Sequence, residues 1–220
     1  MMGHRILEPE VMDTLQDALE YDAMDFSEVN TLFANRAIEL LPMKGVVLDV
    51  GTGTARIPLL MLEMNPNLQI IAVDLSENML EVGKSNVTKA NLSEIIILQK
   101  VDAKKLPFED SYFDAVISNS LIHHISNPIP VLIEMNRVTK KCGSIFIRDL
   151  IRPDSEEAVE ILVNLYAGDA DEYQKKLYRD SLYASFTLEE VESLIVESGI
   201  KDTTIVQSSD RHWSIERKWS

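Results

Sequence analysis

The stretch Val46-Val47-Leu48-Asp49-Val50-Gly51-Thr52-Gly53-Thr54-Ala55-Arg56-Ile57-Pro58 constrains this chain more than any other. Its first five residues are mostly β-branched and apolar, the pattern of a strand buried on both faces. Gly51 and Gly53 then permit a tight turn in which backbone can approach a ligand with no Cβ in the way. The apolar run from Ile57 to Leu62 opens a helix, and Pro58 is tolerated in its first turn because no intrahelical donor is lost there. Strand, glycine turn and helix, in that order, form a nucleotide-type pocket at the carboxyl end of a first strand.

Which nucleotide it suits depends on the residues around the turn. A dinucleotide fingerprint, Gly-x-Gly-x-x-Gly, would place its third glycine on Arg56, where helix and strand need close contact. An arginine does not fit there, so a nicotinamide dehydrogenase is the weaker reading. The pattern met instead is Gly-x-Gly-x-Ala preceded by Asp49. No Gly-x-x-x-x-Gly-Lys-Ser/Thr occurs, which excludes a P-loop.

From residue 46 onward short apolar runs alternate with helical segments. The runs are Val46–Val50, Gln69–Val73, Ile95–Gln99, Ala115–Ser118 and Gly143–Ile147, and the helices are Ile57–Met64, Glu77–Ala90 and Pro128–Val138. Repeated β-α-β implies a parallel sheet with helices on both faces. Right-handed crossovers put the loops after the strands at one edge, where a ligand should sit. Before this, residues 7 to 41 read as helical, with Val29, Leu32, Phe33, Ala37, Leu40 and Leu41 forming one buried stripe. Residues 152 to 186 break the alternation with acidic, tyrosine-containing helical sequence, either an amphipathic pair packed on the sheet or a cap over the ligand edge. Thr187 and Glu190 then form a capping box, Gly199 closes the helix, and Thr203–Gln207 with Trp213–Lys218 make an antiparallel hairpin at a sheet edge.

Bulk properties narrow the partners. With 21 Lys and Arg against 36 Asp and Glu, the net charge is −15, and such a field repels polyanions. No nucleic acid is expected as a partner. The pairs Lys104-Lys105 and Lys140-Lys141 read as solvated loop ends. No apolar run is long enough for a membrane span, the first residues lack the apolar region of a signal peptide, and the single Cys142 fits a reducing cytoplasmic compartment. No Cys/His cluster has metal-ligand spacing, so no metal is expected.

Chemistry-bearing residues fall at the ends of the strands. Asp74 can accept from both hydroxyls of a ribose and would repel a 2′-phosphate; the alternative is a helix N-cap. Ser76, with Met79 beyond it, reads as an N-cap leading to an apolar wall. Asp102 can accept from an exocyclic amine while the Ala103 amide meets a ring nitrogen, a pair that reads adenine. Fourth-strand residues Asn119 and Ser120 lead into His123 and His124, which either take a proton from a substrate or cap the following helix. Arg148 and Arg152 follow the fifth strand and can bind a carboxylate, or pair with Asp149 or Asp154. His212 lies beside Trp213.

Leu48-Asp49-Val50-Gly51-Thr52-Gly53, Val73-Asp74-Leu75-Ser76, Asp102-Ala103, Leu106-Pro107-Phe108 with Phe113-Asp114, and Leu121-Ile122-His123-His124 occur together, in order, over residues 46 to 150. In this the chain resembles the class I S-adenosylmethionine-dependent methyltransferases, of the branch that includes the ubiquinone and menaquinone C-methyltransferases and many small-molecule enzymes. The resemblance implies a Rossmann-like α/β fold with a seven-stranded, mostly parallel sheet in the order 3-2-1-4-5-7-6, strand seven antiparallel. It implies one domain over 1–220, with 1–45 as a helical N-terminal lid and 152–186 as a helical substrate cap. It further implies S-adenosylmethionine as cofactor and methyl transfer to a small molecule, by a monomer or homodimer.

Carried over by position, Asp49 and the backbone of Gly51, Thr52 and Gly53 would hold the methionine moiety. Asp74 would take the ribose hydroxyls, Leu75 and Met79 would flank adenine, and Asp102 and Ala103 would read its edge. The carbonyls of Asn119 and Ser120 would meet the amino group. His123 or His124 would be the catalytic candidates, with Tyr21 on the lid and Arg148, Arg152 and His212 near the acceptor. Ala55 departs from the family's third glycine and removes easy access to positive φ. The metal trio of the catechol-type branch has no counterpart. The same cofactor residues would equally serve a non-catalytic protein that binds S-adenosylmethionine or S-adenosylhomocysteine and acts through partners. The acceptor and its atom type are not encoded in these motifs.

Overall fold

In the computed structural model, which describes residues 4–8 and 14–220, the Val-rich run forms strand β1 (Gly45–Val50), with a parallel partner on each side. Val47, Leu48 and Val50 are fully buried, as a strand covered on both faces requires. Strands β2 (Leu68–Asp74), β3 (Ile96–Lys100), β4 (Phe113–Asn119), β5 (Thr139–Leu150), β6 (Thr204–Gln207) and β7 (His212–Arg217) complete the sheet. Its order is β3-β2-β1-β4-β5-β7-β6, with β7 antiparallel to both neighbours. This is the expected topology, edge hairpin included.

The alternation of side chains along each strand sorts them onto two faces. Leu48, Val50, Val116, Ile147 and Trp213 pack against helices α5 (Ile129–Val138) and α8 (Leu188–Ser198). Val47, Ile70, Ile117 and Phe146 pack against α2 (Ser27–Leu40), α3 (Arg56–Met64) and α4 (Glu77–Lys89). Phe33 of α2 stacks on Phe146 at 4.5 Å between centroids. Each such fully buried large apolar side chain contributes about 1.5–3 kcal/mol. By the same alternation Asp49 points to the α2–α3 face.

The N-terminal region departs from the single helix read over 7–41. Within its described part, helix α1 (Leu15–Ala23) and α2 are separate, and the predicted positions 9–13 lie outside the described residues. Thr14 and Asp17 form a capping box at the start of α1, and Met24 ends it in an extended conformation. The Asp25 carboxylate then accepts the Ser27 amide at 3.1 Å, starting a new helix. One position of the predicted stripe differs: Leu32 is 57% exposed and Ala34 is buried instead.

Strand β5 is longer than the predicted Gly143–Ile147. Its pairing with β4 steps from Phe113↔Thr139 to Ala115↔Ser144, an irregularity that absorbs residues 140–143. Gly143 makes that possible, since a Cβ there would lie 2.9 Å from the Asp114 carbonyl oxygen. Residues 152–186 form α6 (Glu156–Ala167) and α7 (Glu172–Ala184), capped by Ser155 and Asp171. They bury Val159, Val163 and Leu182 with Leu150 in a small core of their own. The Thr187–Glu190 capping box and the left-handed Gly199 end α8 as read. Among the described residues no helix is long and apolar enough to cross a membrane.

Candidate functional site

The loops after β1, β2, β3 and β4 open into one cavity of about 1140 Å³, closed on one side by residues from α1 and the start of α2. Its geometry begins at the glycine turn. The amides of Gly51 and Thr52 both donate to the Val73 carbonyl, at 2.8 and 3.0 Å, and the Gly53 amide donates to Asp74 Oδ2 at 2.8 Å. The other carboxylate oxygen, Oδ1, accepts from the Ser76 amide at 2.9 Å. Asp74 therefore fastens the β1 turn to the head of α4, where Ser76 is the N-cap.

The two glycines do different work. Gly51 has φ +77°, and a Cβ there would sit 2.9 Å from Leu121 Cδ1. Gly53 has φ +55° and faces space in which a Cβ would meet only Tyr21 Cε1, at 3.8 Å. Left-handed strain and the Leu121 overlap should together make Gly51→Ala destabilising by about 2–4 kcal/mol. A urea midpoint matching the wild type would contradict this turn geometry. Ala55 is also left-handed, at φ +62°, so alanine here adopts the conformation that a glycine would take more easily. Its small side chain sits against Gly83 of α4.

Beneath the turn, Asp49 is 2% exposed. Its Oδ2 has no hydrogen-bond partner among the described residues. Burial pushes this carboxyl up to about 7, with the Asp74 charge adding to the rise. The Thr52 hydroxyl pulls the other way but closes no well-formed hydrogen bond. An orphaned carboxylate oxygen under a glycine cradle fits a cationic ligand group above it.

Of the predicted cofactor residues, Gly51, Thr52, Gly53, Asp74, Leu75, Met79, Asp102, Ala103, Asn119 and Ser120 all line the cavity, whereas Asp49 lies behind its wall. Asp102 is exposed, and its carboxyl is held below the ordinary range by the Lys104 amide, which donates at 2.9 Å. Ser120 has φ +54°, a strained turn that presents the end of β4 to the cavity.

Tyr21 lines the opposite wall and packs on Phe26 at 5.3 Å. The arginine that spoils the dinucleotide pattern has a role here. Arg56 Nε and Nη2 donate to the two oxygens of Asp22 at 2.8 and 2.6 Å, and Asn86 adds a third bond at 3.0 Å. Burial would raise the Asp22 carboxyl, but the Arg56 guanidinium and the surrounding hydrogen bonds hold it low. This fork ties α1 to the glycine turn.

The two candidate histidines part company. His124 lines the cavity, and its side chain is 46% exposed. His123 is buried, its Nδ1 lying 2.5 Å from Asp149 Oδ1. Burial would lower the His123 imidazole, but Asp149 raises it on balance, and Asp149 is correspondingly held low. Glu8 reaches both rings from the N-terminal segment. Neither Glu8 nor this use of Asp149 was foreseen from the sequence, because no local pattern links position 8 to position 123.

The three polar groups expected near the acceptor do not line this cavity. Arg148 Nε donates to Asn119 Oδ1 at 3.1 Å and Nη2 to the Val29 carbonyl at 2.9 Å. Burial and the nearby Arg211 bring its guanidinium down to about 10. Arg152 pairs with Glu190 at 2.6 Å rather than with Asp154. His212 is pushed down to about 3 by burial and by Arg148 and Arg211, which leaves it a neutral imidazole beside Ser209.

Residues 48–147 match the family model of the methyltransferase domain. A demethylmenaquinone methyltransferase of Bacteroides fragilis is 38% identical over 109 residues, 49% of this chain and 44% of that protein. A ubiquinone/menaquinone biosynthesis C-methyltransferase of Desulfotalea psychrophila is 38% identical over 112 residues, 51% of this chain and 44% of that protein. The matches span under half the length of these curated relatives. Among solved structures, a SAM-dependent methyltransferase from Aquifex aeolicus superposes with TM-score 0.69 at 18% identity, covering 94% of this chain and 99% of that one. Phosphoethanolamine N-methyltransferase 2 of Haemonchus contortus, in complex with S-adenosyl-L-methionine, gives 0.68 at 23% identity, covering 89% and 44%. Residues 48–147 are therefore similar to the methyltransferase domain family, in a chain with the fold of solved S-adenosylmethionine-dependent methyltransferases.

Proposed function

We propose that this chain transfers a methyl group from S-adenosylmethionine to a small-molecule acceptor. The observation that carries the reading is the cavity itself. It joins the Asp74-fastened glycine turn to open space beyond Ser120, and its 1140 Å³ exceeds the roughly 300–1,000 Å³ of a pocket for one drug-sized ligand. Cofactor and acceptor fit together.

In this reading the Gly51–Gly53 backbone and the Asp49 carboxylate hold the aminocarboxypropyl end. The Asp74 carboxylate takes the ribose hydroxyls, Leu75 and Met79 flank the adenine, and Asp102 and Ala103 read its edge. The carbonyls of Asn119 and Ser120 orient the ammonium. The cofactor supplies a sulfonium-activated methyl group, so the protein contributes mainly alignment and exclusion of water. We place α1 and α2 as a lid, with Tyr21 against the turn, and α6 and α7 as the cap that selects the acceptor. The curated relatives are named for menaquinone and ubiquinone biosynthesis, but each match covers only about half of this chain, and the family model spans 48–147, short of the lid and cap helices that would select the acceptor.

The lid role makes a prediction. Arg56→Ala should change stability by less than about 1 kcal/mol, because the Arg56 side chain is half exposed and its charge is screened by solvent. It should weaken S-adenosylhomocysteine binding about three- to tenfold by freeing α1, measured by calorimetry; unchanged affinity would remove Asp22 and Arg56 from the lid. The function is tested with methyl-labelled cofactor and fractionated metabolite extract. Label entering a metabolite fraction supports transfer. S-adenosylhomocysteine binding with no labelled fraction would make this a binding protein, and tighter binding of NAD than of S-adenosylhomocysteine would overturn the cofactor assignment.

A further inference from the structure

The short 3₁₀ turn Ile122–His124 carries a cluster that the cofactor assignment does not use. His123 Nδ1 is taken by Asp149 Oδ1 at 2.5 Å, and the same carboxylate accepts the His123 and Leu150 amides at 3.0 and 2.6 Å. Asp149 is therefore fully engaged and fixes the ring. The free nitrogen, Nε2, faces Glu8 Oε1 across 3.8 Å. That is too long for a hydrogen bond, yet two ligands of one cation with bonds of about 2.0–2.2 Å can stand that far apart. The other Glu8 oxygen lies against His124 Nδ1. One ligand atom from each of Glu8, His123 and His124 comes within 4.8 Å of the others.

The surroundings hold these groups in place. Ser181 Oγ donates to Glu8 Oε1 at 2.6 Å, and the Ile6 amide donates to the Tyr183 carbonyl at 3.1 Å. Arg5 binds the carbonyls of Ala184, His123 and Ser126 and covers the Phe186 ring. The charges near the cluster are the carboxylates of Glu8 and Asp149 against the guanidinium of Arg5, with Arg152 and Glu190 behind it. The balance favours an added cation.

We propose that Glu8, His123 and His124 bind one divalent transition-metal ion of the zinc, cobalt or nickel class. Two imidazoles with one carboxylate suit such borderline ions, whereas magnesium and calcium take all-oxygen sets. A carboxylate on the far nitrogen of a ligating histidine is the usual outer partner, since it fixes the tautomer and raises ring basicity. Three protein ligands leave a coordination position open. Of the three, only His124 lines the cavity, so the ion would sit at the cavity wall, beside the end of β4. The ion also staples the Arg5–Glu8 segment to the end of β4, and metal binding does not depend on the methyl-transfer reading.

The test uses the full 220-residue chain without an affinity tag, stripped with chelator and titrated with Co²⁺. One equivalent should bind, with visible d–d bands that Zn²⁺ abolishes. Glu8→Gln and His124→Ala should each weaken Co²⁺ binding more than tenfold, and Asp149→Asn by about 10–100-fold. Glu8→Gln removes one partly exposed carboxylate charge, so it reports on the site even if Asp149→Asn fails to fold, and its metal-free melting curve serves as the folding control. Absence of d–d bands at stoichiometric Co²⁺, or unchanged affinity in Glu8→Gln, would leave only a buried ion-pair cluster and overturn the proposal.

Discussion

Asp49→Asn should stabilise the ligand-free protein at neutral and alkaline pH while weakening its hold on the cofactor. The folded chain keeps the Asp49 carboxyl near 7 against an ordinary 3.8, so between those values the native state binds a proton that the unfolded chain releases. Stability from this group is complete below pH 3.8 and falls as pH rises, until the carboxylate is ionised above about 7. The whole rise corresponds to a cost on the order of 4 kcal/mol. A buried amide is itself under-satisfied, so the expected gain is nearer 2 kcal/mol, or about 4–8 °C in Tm for a chain of this size. The stability difference between variant and wild type should grow from pH 4 to 7 and stay flat above. Subtracting wild type in this way cancels Glu8, Asp22 and Asp149, whose carboxyls are held low and whose stabilisation is lost only as pH falls. With a cationic ligand above it, Asp49 gives up its proton, so S-adenosylhomocysteine affinity should rise with pH up to about 7 and lose that dependence in Asp49→Asn. Calorimetry in two buffers of different ionisation enthalpy reads the proton directly. A difference that does not vary with pH would mean Asp49 is already ionised.

Asp74→Ala should bring the largest loss of cofactor affinity. The carboxylate binds the Gly53 and Ser76 amides, and in the proposed complex it also takes the ribose. Hydrogen bonds to a charged group contribute about 1.5–3 kcal/mol. Loss of the ribose contacts and of the turn they rest on should weaken S-adenosylhomocysteine binding by roughly 30–100-fold, or about 2–3 kcal/mol. Stability should fall by about 1–3 kcal/mol, because two amides lose their acceptor. Asp74→Asn, which keeps one acceptor oxygen, should fall between. An Asp74→Ala protein binding within threefold of wild type would take the ribose away from this residue.

The sheet and the residues that line the cavity were legible because their signals are local. β1, its glycine turn and the strand-end Asp74 and Asp102 each sit within a few residues of the backbone feature they serve. What was illegible depends on distant or side-chain-made events. The break between α1 and α2 has no proline or glycine, and is made by the Asp25 carboxylate on the Ser27 amide. The extension of β5 rests on Gly143 folding back under Asp114. Arg148, Arg152 and His212 were read by position at the strand ends, where the side chains instead turn to Val29, Glu190 and Ser209. Glu8 comes to His123 and His124 only through tertiary packing, so spacing alone hid the cluster.

The position of β7 between β5 and β6 has a consequence for how the chain is made. β6 leaves the ribosome before β7 and, among the described residues, has no other strand to pair with. Until β7 emerges, β5 is an open edge with unpaired amides and carbonyls, and Trp213 has not arrived to cover the α5–α8 core. An open apolar edge invites pairing between nascent chains. Slow synthesis through residues 200–217 should therefore lengthen the aggregation-prone interval, while a stall before residue 196 leaves α8 incomplete as well. Of these seven strands, the last to be synthesised is the one that seals the sheet.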